Sequence, residues 1–186
     1  MKTKQFVLLF SIVALIQLAV PTSMIWENQK TIENGTVYKF KTAPIDPNDP
    51  FIGKYIALQY ALESFPSKDS IWESGDPVFI YLGKDTDGFA TLKKAVKNKE
   101  KDNPDDYVIA KVNYNFDGVV HFIFPFNTYY MEESKAYDAE TAYREQVRDT
   151  TSSYPTYALV HVKDGKAVLS DVIIKNTPIK EYVRKK

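Results

Sequence analysis

The chain opens on one long apolar block and then changes to short segments in which apolar and polar residues alternate. Phe6–Val20 is apolar apart from Ser11 and Gln17, and Gln5 to Trp26 is a run of 22 uncharged residues. A helix needs about 20 such residues to cross a bilayer, so the block predicts a membrane-spanning helix. Past it the period shortens to two. Val37–Lys41 and Val78–Leu82 predict short strands, and Ala43–Pro50, with three prolines and two aspartates, predicts a loop. Lys54–Leu62 predicts a longer strand, with Ile56, Leu58, Tyr60 and Leu62 on one face and Tyr55, Ala57, Gln59 and Ala61 on the other.

Asp87-Gly88, Asp117-Gly118 and Asp164-Gly165 are turn signals, because both residue types tolerate the positive φ of tight hairpins. The second joins Tyr107–Phe116 to Val119–Phe126, and the third joins Thr156–Lys163 to Lys166–Lys175. After the first, Phe89, Leu92, Ala95 and Val96 fit either a strand or a short helix. Glu132–Arg148, rich in Glu, Ala, Lys and Arg, predicts the one helix of the exterior part. The fold class expected is mainly β, of α+β type: an antiparallel sheet, curled or closed as a barrel, with one helix packed on it. An N-terminal membrane-spanning helix precedes that sheet. Residues 1–26 form the anchor and residues 27–186 one β-rich domain.

Composition agrees with this pattern. The 186 residues include 13 Tyr, 11 Phe and 2 Trp, types that favour pleated, half-buried surfaces. Formal net charge is zero, and without Lys2 and Lys4 the balance is 22 basic against 24 acidic side chains. No basic field exists to neutralise phosphates, which argues against nucleic acid as a partner. The basic end, Arg184-Lys185-Lys186, reads as a solvated tail. With no cysteine, disulfides, thiol catalysis and cysteine metal sites are excluded.

Lys2 and Lys4 ahead of the apolar block fit either an uncleaved anchor or a signal peptide. Ala19-Val20-Pro21 places proline where a small residue should end a cleavage site. An anchor accounts for that and for Trp26, whose indole suits the headgroup layer. A buried core helix is the third reading. With the lysines held inside, everything after Trp26 faces the exterior, as a single-pass protein; cleavage would instead release a secreted domain.

The block Gly53-Lys54-Tyr55-Ile56-Ala57-Leu58-Gln59-Tyr60, led in by Asp49-Pro50-Phe51, resembles the signature of the GDYXXLXY proteins at Gly53, Tyr55, Leu58 and Tyr60. It departs at Lys54, where the signature has aspartate. Tyr129-Tyr130-Met131-Glu132-Glu133-Ser134 is similar to the family's aromatic pair and following acid, with Glu133 as that acid and serine in place of the usual glycine. Tyr157–Leu169 resembles its closing hairpin. The resemblance implies a membrane-anchored extracytoplasmic domain of uncharacterised activity, often encoded beside multi-spanning membrane proteins. It singles out Tyr55, Tyr60 and Glu133 as a candidate binding group and Gly53 and Leu58 as structural residues of the motif. Gly53, between loop and strand, predicts a positive φ or a close backbone approach. Each of the three binding candidates also has a plain structural reading: the tyrosines as core rings, Glu133 as a first-turn acid complementing the helix dipole.

Catalytic chemistry is thin. His121 and His161 both fall in strand-like runs, and no zinc-protease, nucleophile-elbow or phosphate-loop motif is present. Asp85-Thr86-Asp87-Gly88 opens like a calcium loop, but Val96 stands where the bidentate glutamate belongs. Ser23, with Lys54 or Lys111 as base, would be a Ser/Lys pair lacking the expected proline. No catalytic residue, metal site or cofactor is therefore assigned. The expectation is a non-enzymatic domain that binds or supports a multi-spanning membrane protein or an envelope component. The alternative is a hydrolase or other enzyme using carboxylate and tyrosine groups around Glu133.

Overall fold

The computed structural model describes residues 3–43, 55–67, 71–131, 133–148 and 155–184. Gly53 and Lys54 fall outside the described residues, as do the side chains of Tyr55 and Glu133, whose backbones are described.

Helix α1 (Thr3–Asn34) has 32 residues, about 48 Å at 1.5 Å each. Its large apolar side chains from Phe6 to Trp26 are exposed, and none of the apolar span is buried within the protein. It is the one described helix long and apolar enough to cross a membrane, and it is not a core helix. The hydroxyls inside it are satisfied locally: Ser11 donates to the Val7 carbonyl at 2.9 Å and Thr22 to Leu18 at 2.8 Å. Ser23 likewise donates to the Val20 carbonyl at 2.7 Å, so this hydroxyl is engaged within the helix. Pro21 has no N–H for the Gln17 carbonyl four residues earlier.

The helix runs eight residues past Trp26 and ends on the sheet itself. A single residue, Gly35, separates Asn34 from β1 (Thr36–Ala43). The Gly35 N–H donates to the Thr31 carbonyl at 2.9 Å, and Thr31 is buried where the last turns of α1 meet β10 (Tyr157–Lys163) and β11 (Lys166–Ile174). Glu27 forms an ion pair with Lys166, and the Lys30 ammonium lies 4.6 Å over the Trp26 ring.

Two five-stranded sheets face each other in a nearly closed, antiparallel, barrel-like arrangement. The first contains β1, β3 (Gln59–Tyr60), β10, β11 and β12 (Thr177–Pro178), in the order β12-β11-β10-β1-β3. The second contains β4 (Ser64–Pro66), β5 (Pro77–Lys84), β6 (Ala90–Val96), β7 (Tyr107–Phe116) and β8 (Val119–Ile123), in the order β4-β8-β7-β5-β6. Bridges from Lys39 to Phe89 and from Val108 to Gly165 draw the two sheets together. A separate pair joins β2 (Tyr55–Ala57) to β9 (Thr128–Tyr130). Inside lie alternate residues of the strands, among them Tyr38, Phe40, Val78, Ile80, Val108, Val112, Phe122, Ala158 and Val160. Helix α2 (Glu133–Arg148) packs on β2 through a face that includes Ala139, Ala142 and Tyr143, and α3 (Ile179–Arg184) packs on α2 and β11.

The turn signals behave as their chemistry predicts. Asp117-Gly118 and Asp164-Gly165 have two consecutive positive φ values each, the mirror-image turn that suits twisted strands. Asp85-Thr86-Asp87-Gly88 is also a hairpin turn, and it leads into strand β6, so the helix alternative is set aside. The Asp85 carboxylate accepts the N–H groups of Asp87 at 3.0 Å and Phe89 at 2.8 Å, which gives the aspartate-rich tetrad a structural purpose. Two expectations need correcting. Lys54–Leu62 is not one strand: it breaks at Leu58, because β2 pairs with β9 whereas β3 pairs with β1. A second helix also exists beside α2 after the strands, since α3 extends to Arg184 instead of leaving it in a solvated tail; burial of Ile179 holds it.

Candidate functional site

The motif strand changes partners at Leu58, and three contacts hold that crossing. The Leu58 N–H donates to the Asn127 carbonyl at 2.8 Å, the Tyr60 hydroxyl to the Phe126 carbonyl at 2.8 Å, and the Ala61 N–H to the Lys41 carbonyl at 3.0 Å. Ile56, Leu58 and Tyr60 are all buried, as the alternation implies. The Tyr60 ring sits edge-on to Phe40 and Phe124, with centroids 5.6 and 5.8 Å away, and against Phe126 at 5.3 Å. Burial pushes its hydroxyl pKa up, with smaller contributions from Tyr143 and Glu63. A phenol in that position is a core strut; its one proton is committed to a main-chain oxygen.

Tyr55 pairs with Tyr130 and Ile56 with Tyr129, so β2 lies beside the segment that leads, three residues on, to Glu133 at the start of α2. The backbone thus brings the two family-like blocks together, as strand β2 against β9 and the entry to α2. Tyr60 departs from that group, since its ring turns inward.

Glu63 was not singled out from the sequence, yet its carboxylate bonds directly to the motif strand. Its carboxylate accepts the Tyr60 N–H at 2.8 Å, and its carbonyl accepts the Phe122 N–H at 2.9 Å. Burial raises its carboxyl pKa, while the bond from Tyr60 works in the opposite direction. Tyr143 stands nearby with its hydroxyl pKa raised first by burial and then by Glu63; the Thr42 side chain lies beside it, off hydrogen-bonding geometry. The Thr42 hydroxyl instead donates to the Thr156 carbonyl at 3.0 Å, and the Tyr143 and Thr156 hydroxyls are buried without a partner among the described residues. The only clue in the sequence was an acid between Leu62 and Phe65, where the alternation expects solvent. A cavity of about 270 Å³ opens between β1 and β6, lined by residues that include Phe40, Lys41, Leu62, Asp85, Phe89 and Thr91.

A second tyrosine–carboxylate contact ties the aromatic block to the other sheet. The Tyr129 hydroxyl donates to Asp171 at 3.0 Å, on an oxygen that also accepts the Val172 N–H at 2.8 Å. Ser170, the extra residue of a bulge in β11, lets Asp171 reach that position. Burial, then the Asp171 charge, raises the Tyr129 pKa. Tyr38 repeats the device, donating to Asp106 at 3.0 Å. Of the two histidines, His121 stacks on Tyr114 with centroids 4.4 Å apart, and His161 has Nδ1 buried without a partner among the described residues.

A profile of the GDYXXLXY protein family matches residues 17–172, from within the apolar helix to β11. The chain belongs to the GDYXXLXY family. No curated protein and no solved structure gives a match. The physical content of the family signature is visible in the geometry: in this GDYXXLXY chain its leucine and second tyrosine lock a strand that passes from one sheet partner to another. Its first tyrosine lies opposite the second family-like block, Tyr129-Tyr130. The glycine falls outside the described residues. Among the described residues no group of His, Asp or Glu side chains is arranged to hold a metal ion.

Proposed function

We propose that this chain is a single-pass membrane protein, with residues 1–26 as an uncleaved anchor and residues 27–186 as an exterior domain. Its role is to bind or support a partner at the membrane, namely a multi-spanning protein. The observation that carries this reading is the joint between helix and sheet. Only Gly35 separates α1 from β1, and the last turns of α1 dock on β10 and β11 through Thr31 and the Glu27–Lys166 pair. An anchor whose only task is to retain a domain works well through a flexible linker. A helix fused to a sheet holds that sheet at one height and one orientation, which suits a partner fixed in the same bilayer. Lysines at positions 2 and 4, retained inside, orient the domain outward.

The test is to insert a flexible linker of about ten Gly/Ser residues after Gly35, long enough to free the domain. Both forms are extracted from native membranes in detergent, and their N-termini and co-purifying proteins are identified. The expected wild-type N-terminus is at or near Met1, with a multi-spanning protein recovered alongside, and the linker form should stay in membranes while recovering much less of it. A mature start within residues 20–30 with soluble protein overturns the anchor. Equal recovery by the linker form overturns the geometric role.

A further inference from the structure

The outward face of the second sheet carries a row of apolar residues. In β7 and β8, Val108, Ala110, Val112, Val120 and Phe122 point into the core, while Ile109, Ile123, Tyr114 and Phe116 stand 41%, 42%, 48% and 73% exposed. The register places them together. Phe79 pairs with Ile109, Lys111 with Ile123, Tyr114 with His121 and Phe116 with Val119, and residues directly opposite in an antiparallel pair share a face. A bulge at Asn113 makes this possible, by shifting the phase of β7 so that Lys111, Tyr114 and Phe116 all face outward. Pro77, Ile109, Ile123, Phe124 and Pro125 line a groove of about 430 Å³ on this face, and Lys111 is its one charged wall among the described residues.

We propose that this face is a docking site for one extended or helical segment of another membrane protein's exterior part, a segment carrying apolar side chains and a carboxylate that meets Lys111. Three observations select that occupant. The row spans β7 from Ile109 to Phe116 and crosses from β5 to β8, about 25 Å by about 10 Å at ordinary strand spacings, which is the footprint of a single element. Lys111 forms no ion pair with a described residue although it sits among apolar walls, so an acidic partner group complements it. A second copy docked face to face would bring two Lys111 ammonium groups into one apolar contact, which like-charge repulsion opposes. The height of the face follows from the joint. Gly165 bridges to Val108 at the start of β7, next to Lys166 and its ion pair with Glu27, so the row begins near the end of the barrel that bears α1.

This inference deepens the proposed function and relies on it for the partner's location, and one experiment separates the two. In native cells a photo-crosslinking amino acid replaces Ile123 or Tyr114 in the full-length chain, and Glu181 on α3 serves as the control position. The chain has no cysteine, so a Lys101→Cys variant reports with a membrane-impermeant maleimide whether the domain lies outside. A discrete adduct is expected at Ile123 and Tyr114 but not at Glu181. Mass spectrometry of the adduct should place the linkage in an apolar stretch with an Asp or Glu, in a protein with membrane spans. Lys111→Glu should lower the adduct yield about tenfold with an unchanged melting temperature. Adducts to the chain itself, to lipid alone, or equally at Glu181, or an adduct unaffected by Lys111→Glu, would overturn the docking site. If the maleimide labels intact cells and no adduct forms, the anchored exterior reading stands and the face fails. An adduct without labelling keeps the face and overturns the exterior placement.

Discussion

Replacing Gly35 with alanine tests whether helix and sheet form one rigid body. A Cβ at residue 35 would stand 2.4 Å from the Thr31 carbonyl oxygen and 3.0 Å from that of Val162. Both are backbone atoms, one in the helix and one in β10, so no side chain can rotate aside. Restoring a normal carbon–oxygen separation at Thr31 requires a shift of about 0.7 Å, which stretches the 2.9 Å bond from the Gly35 N–H beyond hydrogen-bonding range. The bond itself contributes about 1 kcal/mol, and strain from the inserted methyl adds about 1–3 kcal/mol. Against this, alanine restricts the unfolded chain and returns about 0.4–1 kcal/mol. The net expectation is a loss of about 1–4 kcal/mol, or roughly 2–14 °C in melting temperature for a domain of this size. Near-ultraviolet circular dichroism of the full-length chain in detergent, followed against temperature, measures it through the aromatic core. An unchanged melting temperature would refute the argument, because it would mean that α1 pivots freely at residue 35.

Two further outcomes concern the site. Glu63 has its folded pKa raised by burial, so between the ordinary carboxylate range and that raised value the folded state holds more protons than the unfolded one, and stability falls as pH rises. Glu63→Gln keeps an acceptor for the Tyr60 N–H and removes the titration, so its melting temperature should gain on the wild type as pH rises above the ordinary carboxylate range; parallel curves would contradict the assignment. Tyr129→Phe removes a hydrogen bond to a carboxylate and should cost about 1.5–3 kcal/mol in denaturant unfolding, while Tyr130→Phe measured alongside provides the comparison; equal effects would show that the Asp171 contact has no special weight.

Much of this architecture was legible from local chemistry. Asp117-Gly118 and Asp164-Gly165 supply the positive φ values that their hairpins need, so these turns could be read without tertiary information. Ile56, Leu58 and Tyr60 also declared their common buried face. The features that escaped were non-local. The break at Leu58 depends on the Asn127 carbonyl, 69 positions away in sequence, accepting its N–H. The bulge at Asn113 leaves no compositional trace, and α3 has only six residues, too few to form without the buried Ile179. Glu63 was hidden for a related reason: an acid in a strand-like run reads as solvent-facing until the fold closes over it.

The absence of slack between α1 and β1 has a mechanical consequence. Transmembrane helices answer a change in bilayer thickness by tilting. With α1 spanning a bilayer as proposed above, the tilt could not be absorbed by a linker, so the whole barrel would rotate with it. Phe116 lies about 30 Å along β7 from Tyr107 at its start, at about 3.3 Å per residue. If β7 follows the helix axis, a tilt change of about 10° would sweep its ring sideways by about 5 Å, the width of one strand. The domain would then act as a pointer whose far tip magnifies what its root feels in the lipid.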